Sequence, residues 1–219
     1  YPRAWREFFP FEPVWQLASY ALLHDARTPT HILQNMLYLY FFGTMVEGIL
    51  GSSRFLVTYV AAIVAGGLLW LVYGLATPVP HVVGASGGVF GLLVAAALLQ
   101  PRAQVFLLFV PVRLMWLAVG LVGLEVLYFL PELVKGQQAA VAHLVHLGGA
   151  AWAFIAYKTR WIWIDPIQRL DLRRAIRSQE QRHSDEKHMD DLLAKINSEG
   201  MSALSKRERA FLKRVSTRR

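Results

Sequence analysis

Residues 55–76 run for 22 positions without one charged side chain (FLVTYVAAIVAGGLLWLVYGLA). A helix needs about 20 such residues to cross the hydrocarbon core of a bilayer. Within lipid, only an element that satisfies its own backbone polar groups is viable, and a helix does so. Four further apolar runs cover residues 31–50, 81–100, 105–130 and 139–157. Pro111 and Arg113 interrupt the fourth, so its membrane part is expected to start near Leu114. The pattern predicts an all-α, polytopic membrane helix bundle with five spans.

The charges divide the chain. Residues 1–157 hold seven Lys/Arg and six Asp/Glu, whereas residues 158–219 hold sixteen and nine. Overall 17% of residues are charged, below the quarter usual in soluble domains. Three parts follow: an outer amphipathic segment over 1–30, a membrane domain over 31–157, and a basic helical tail over 158–219. A basic tail alone would suit nucleic acid. After a membrane body it marks the cytoplasmic side, so the expected partner is the lipid bilayer and not nucleic acid. The absence of cysteine excludes disulfides and thiolate metal sites.

Residues 1–30 are too polar to span. Trp5, Phe8, Phe9, Phe11 and Trp15 suit the lipid interface. Thr30 is the expected N-cap of the first span. The chain starts at Tyr1, not Met, which suggests numbering that begins inside a longer protein.

Arg54, Arg102, Arg113, Lys158 and Arg160 fall on one side if the spans alternate. That side is cytoplasmic. Spans one, three and five then enter from outside. His31 and Asn35 lie at the start of span one, Ser86 about five residues into span three, and His143 and His146 early in span five. At about 1.5 Å rise per residue, all of them lie in the outer half of the membrane.

Ser86 sits in Gly84-Ala85-Ser86-Gly87-Gly88. A serine hydroxyl is a poor nucleophile until a base takes its proton. The small neighbours Gly84, Ala85 and Gly87 would let a substrate backbone approach. Small residues four apart also simply pack helices in lipid, and that plainer reading stands beside the first. His146, in His146-Leu147-Gly148-Gly149, could accept the serine proton and return it to the leaving amine. His143 competes for this role. The glycines after His146 favour His146, leaving His143 to line the cavity. Phe90, one turn after Ser86, could stack on the imidazole or serve packing alone.

His31 and Asn35 stack one turn apart and can both donate hydrogen bonds to a developing oxyanion. Interhelical hydrogen bonding is the alternative. No acidic residue falls at a matching depth on these three spans. Glu47 is at the inner end of span one, and Glu125 in span four is structural or lines a cavity. A Ser–His dyad is therefore expected. With no H-E-x-x-H and no carboxylate expected near the histidines, neither a metal nor another cofactor is expected.

Four stretches together resemble the rhomboid family of intramembrane serine proteases: His31-Ile32-Leu33-Gln34-Asn35, Glu47 through Gly51, Gly84-Ala85-Ser86-Gly87, and His146-Leu147-Gly148-Gly149. They occur in family order across residues 13–157. The resemblance implies cofactor-free cleavage of transmembrane or membrane-proximal segments of substrate proteins. It implies Ser86 as nucleophile, His146 as base, and His31, Asn35 and the Ser86 N–H around the oxyanion. It also implies at least six spans, so the first family helix is expected to be missing here. The Trp-Arg pair that some members carry in the first outer loop is not evident. A bacterial inner membrane with the tail in the cytoplasm is the expected location. An inactive rhomboid-like binding protein and a transporter are the other readings.

The tail resembles the short helical hairpin that follows some bacterial rhomboids. Ser205 and Glu208 form a capping box before a helix ending near Val215, and Gly200 is a helix stop.

Overall fold

The structure, a computed structural model, describes residues 15–24, 28–76, 82–107, 109–135 and 140–216. The aromatic residues Trp5, Phe8, Phe9 and Phe11 lie outside the described residues. Trp15 is described, and it is exposed.

Among the described residues the chain is all-α apart from one short hairpin. In order come α1 (Gln16–Ser19), α2 (Pro29–Leu50), α3 (Ser52–Ala76) and α4 (Ser86–Leu99). The strands β1 (Gln104–Leu107) and β2 (Val110–Arg113) follow, then α5 (Leu114–Lys135), α6 (Ala140–Lys158), α7 (Pro166–Glu199) and α8 (Lys206–Ser216). Among the described residues, two helical segments are long and apolar enough to cross a membrane, Ser52–Gly74 and Leu114–Pro131. Their outward faces are apolar: Leu56, Val60, Trp116, Val119 and Leu127 are all exposed. Such faces are the opposite of a water-soluble surface and call for an apolar surrounding.

Three expectations are corrected by local chemistry. The N-cap position of α2 is Thr28, not Thr30, because Pro29 occupies the first helical position. Proline is suited there, since its missing N–H would have no helical partner anyway. The helix of the fourth run starts at Leu114, as expected, but residues 105–113 before it are not an interrupted part of that span. They pair antiparallel, with Val105 opposite Val112 and Phe106 opposite Pro111. β-Branched and aromatic residues favour a strand, and a proline is tolerated at the edge of so small a sheet. The fourth apolar helix does not stop at Leu130 but continues through Pro131 to Lys135. Proline there removes a single backbone bond, and the helix carries on around it.

The helix holding Ser86 is also shorter than expected. It begins at Ser86 itself, with residues 82–84 outside it. Gly84 has φ +117°, a conformation that favours glycine. A Cβ there would also press on the His31 ring. The Gly84 N–H donates to the Tyr20 carbonyl at 3.1 Å, which fixes the chain just before the serine.

By its internal contacts the chain divides into two compact units, 1–165 and 166–219. The core of the first gathers Val46, Leu92, Ala96, Leu114 and Ala153, all buried. In the second, Leu192 and Leu204 are buried. There the Ser205 N–H donates to Glu208 at 2.6 Å, and the Glu208 N–H donates to the Ser205 hydroxyl at 3.3 Å, a capping box at the start of α8. The preceding helix stops at Gly200, whose φ is +84°.

Candidate active site

The Ser86 hydroxyl and Nε2 of His146 are 2.7 Å apart. Sixty residues of chain separate them, so tertiary packing alone sets this contact. Its cause is the close approach of α4 and α6. A Cβ on Gly149 would collide with the Gly87 carbonyl, and one on Gly91 would meet Ala62 and the Gly149 carbonyl. The glycines let the two backbones touch, and Ser86, next to Gly87, then meets His146, one turn before Gly149. The Phe90 ring lies flat on the imidazole, with centroids 4.5 Å apart and planes 9° from parallel.

His31 and Asn35 stand beside the glycine two positions before Ser86. A Cβ on Gly84 would lie 3.0 Å from Nε2 of His31 and 3.9 Å from Nδ2 of Asn35. Asn35 is buried. One of its amide protons goes to the His31 carbonyl at 2.9 Å. The amide carries two, so this bond leaves donor capacity at the site. Ser86 is the first residue of α4. Its N–H is therefore one of the amides at a helix start that have no partner within the helix. Ala85 and Gly87 are buried against their neighbours.

One expectation fails here. A carboxylate does reach the histidines. Oε1 of Glu125, on α5, is 3.1 Å from Nδ1 of His146. Its Oε2 accepts from Nδ1 of His143 at 2.5 Å. The contact with His146 is oblique, near enough for charge to act but not an aligned hydrogen bond. The carboxylate comes from α5, not from α2, α4 or α6, the helices that carry the other polar residues of the site. The available signal was a single acidic residue in the otherwise uncharged run 114–131; such residues in apolar helices tend to be functional. The ligand atoms of Glu125, His143 and His146 all lie within 4.8 Å of one another, a donor set that could hold a divalent metal.

Two more residues near the site had no signal in the sequence. The Tyr20 hydroxyl donates to the Ile63 carbonyl at 2.8 Å while its own carbonyl holds Gly84. Burial pushes its phenol above the ordinary range, so it stays a neutral donor. The His24 ring lies 5.4 Å from the His31 ring, on the approach to α2.

The family model of the rhomboid domain matches residues 12–161, most of the chain and all of the residues just described. The chain belongs to the rhomboid family. Among curated rhomboid relatives, RHOMBOID-like protein 12, mitochondrial, of Arabidopsis thaliana is 32% identical over 143 residues, 58% of this chain and 41% of that protein. Rhomboid protein 1, mitochondrial, of Saccharomyces cerevisiae is 40% identical over 86 residues, 37% of this chain and 25% of that one. Rhomboid protease GluP of Bacillus subtilis is 39% identical over 79 residues, 36% of this chain and 14% of that one. This rhomboid chain thus spans less than half the length of each. Residues 177–218 match a second model, a family of unknown function (DUF6576). No solved structure matches the chain.

Proposed function

We propose that this rhomboid protein is an intramembrane serine endopeptidase that cleaves transmembrane or membrane-proximal segments of other membrane proteins. The observation that carries this reading is the 2.7 Å contact between the Ser86 hydroxyl and Nε2 of His146. The distance is within the range required for a base to take a proton from its nucleophile.

His146 removes the Ser86 proton as Oγ attacks the scissile carbonyl. A tetrahedral oxyanion forms. The Ser86 N–H at the start of α4, with Asn35 and His31 beside Gly84, supplies the donors that stabilise it. His146 then gives the proton to the leaving amine, and a water repeats the sequence to release the acyl group. No step needs a cofactor. Gly84, Ala85 and Gly87 leave the nucleophile side free of bulk, and His143 lines the cavity. Phe90 keeps the imidazole plane fixed.

In the membrane, α2 to α6 form five spans, with the outer ends of α2, α4 and α6 bringing the site to one depth. The basic residues 158–219 face the cytoplasm, as positive charge retains such segments there. Substrate helices enter laterally from the bilayer, and water enters from the outer face.

The test is cleavage of a model transmembrane substrate in reconstituted vesicles, with Ser86→Ala and His146→Ala beside the wild-type chain. Each substitution is expected to lower turnover by roughly 10³-fold or more. A fluorophosphonate probe should label Ser86 in the wild-type chain and not in Ser86→Ala. Wild-type protein that neither cleaves nor takes the label, yet binds membrane clients, would overturn this reading in favour of a non-catalytic escort.

A further inference from the structure

Glu125 bridges the two histidines of α6. One oxygen meets Nδ1 of His143 at 2.5 Å and the other lies 3.1 Å from Nδ1 of His146. On the far edge of the same ring, Nε2 of His146 faces the Ser86 hydroxyl at 2.7 Å. We propose that Glu125 is a positioning residue for the Ser86–His146 pair, placing a carboxylate, an imidazole and a hydroxyl in a row, with His143 as the clamp on the acid. This inference rests on the protease reading above.

The contact with Ser86 sets the tautomer that His146 must adopt. To accept the serine proton, Nε2 must be unprotonated, so the single proton of neutral His146 must sit on Nδ1. A buried Nδ1–H needs an acceptor, or that tautomer is disfavoured. Among the described residues, the acceptor facing Nδ1 is Oε1 of Glu125. The opposite tautomer would aim an Nδ1 lone pair at a carboxylate and offer the serine a proton it cannot use.

The charge of Glu125 also acts on the ring. When His146 takes the Ser86 proton it becomes an imidazolium in a poorly solvated place. A carboxylate 3.1 Å away stabilises that cation more than it stabilises the neutral ring. It therefore favours the transition state over the ground state, which is what raises turnover. The proton balance is simple: Oγ–H breaks, Nε2–H forms, and Glu125 remains ionised throughout.

His143 explains how so oblique an acid can serve. Its Nδ1 holds Oε2, so the carboxylate cannot rotate away from His146. The Tyr128 ring stacks on His143, with centroids 6.0 Å apart, and restrains that ring in turn. Phe90 fixes the plane of His146 from another side. Small closure on substrate binding would bring the Nδ1–H into line, as contacts of this kind often tighten in the reacting complex.

The same three side chains could instead be metal ligands. A metal on Nδ1 of His146 would leave the ring proton on Nε2, facing Ser86, and the base would be lost. Glu125 as positioning group and Glu125 as ligand therefore predict opposite responses to a chelator.

The experiment uses the full chain in vesicles. Glu125→Gln keeps the shape and removes the charge. Its kcat is expected to fall by roughly 10²–10⁴-fold, with KM within about twofold. Fluorophosphonate labelling of Ser86 should slow alongside. Glu125→Asp should recover part of the loss. In a His146→Ala background Glu125→Gln should have no further effect, since groups that act as a unit are not additive. EDTA should leave wild-type activity unchanged. The proposal is overturned by Glu125→Gln labelling at the wild-type rate, by a loss confined to KM, by a fully additive loss in the His146→Ala background, or by activity that EDTA removes and zinc restores. Any of these leaves the protease reading intact if Ser86→Ala is still inactive; activity that survives in Ser86→Ala sinks that reading itself.

Discussion

The ring of Phe90 covers one face of the His146 imidazole at a centroid separation of 4.5 Å, nearly parallel to it. The two come from different helices, α4 and α6, so the stack joins the helix of Ser86 to that of His146. Aromatic contacts of this kind are worth about 0.5–1.5 kcal/mol beyond area burial. Without the stack, the imidazole is free to leave the plane in which Nε2 meets Ser86. We expect Phe90→Leu to lower kcat by about 3- to 10-fold, the rate equivalent of that energy, and Phe90→Tyr to be near wild type. Turnover of a model substrate, with KM measured separately, checks this. A fall in Phe90→Leu seen only in KM would place Phe90 in substrate binding alone.

Asn35 is buried and gives one amide proton to the carbonyl of His31. Its second proton is the candidate oxyanion donor. Removing one such donor in a protease typically costs about 10²–10³-fold in kcat. Asn35→Ala should show a loss of that order, while labelling of Ser86 by an alkylating probe that forms no oxyanion is less affected. Equal loss with both substrates would instead point to a collapse of the helix start around His31.

The tail offers a pH prediction at Glu208. Hydrogen bonds from the Ser205 hydroxyl and backbone, then Lys195, hold its carboxyl well down, from 4.5 to about 2. A depressed folded value means the unfolded chain binds the proton more readily. The contribution to stability is therefore complete above about pH 4.5 and is lost as the pH falls toward 2. The protection of the amides around Leu204 and α8, measured as exchange relative to the intrinsic rate at each pH, should fall between those values in the wild-type chain. In Glu208→Gln the protection should be lower at neutral pH and flat across the same window. A wild-type profile with no acid limb would remove the capping box from the account of the hairpin.

How far the sequence carried these conclusions depends on the residue. Ser86, His146, His31 and Asn35 could be singled out because polar groups among apolar runs are few and glycine neighbours mark close approach. The capping box at Ser205 and Glu208 was equally visible, being local. The strands β1 and β2 were not. An apolar run such as 105–110 satisfies helix and strand alike, and only pairing with a neighbour decides. The true start of α4 was hidden for another reason, since the φ of Gly84 and its bond to Tyr20 are tertiary facts. Glu125 stood out by its charge, but which helix it faced was not encoded in its neighbours. Depth in a membrane can be counted along the chain, whereas rotation about a helix axis cannot.

The main chains of α4 and α6 touch where Gly87 meets Gly149, with no side chain between them. Peptide groups have no rotamers to settle into, so this spacer cannot be retuned by shuffling neighbouring apolar residues. The lipid-facing surface is thereby released to drift in sequence, or to adapt to bilayers of differing thickness, while the gap between hydroxyl and imidazole stays gauged by backbone alone.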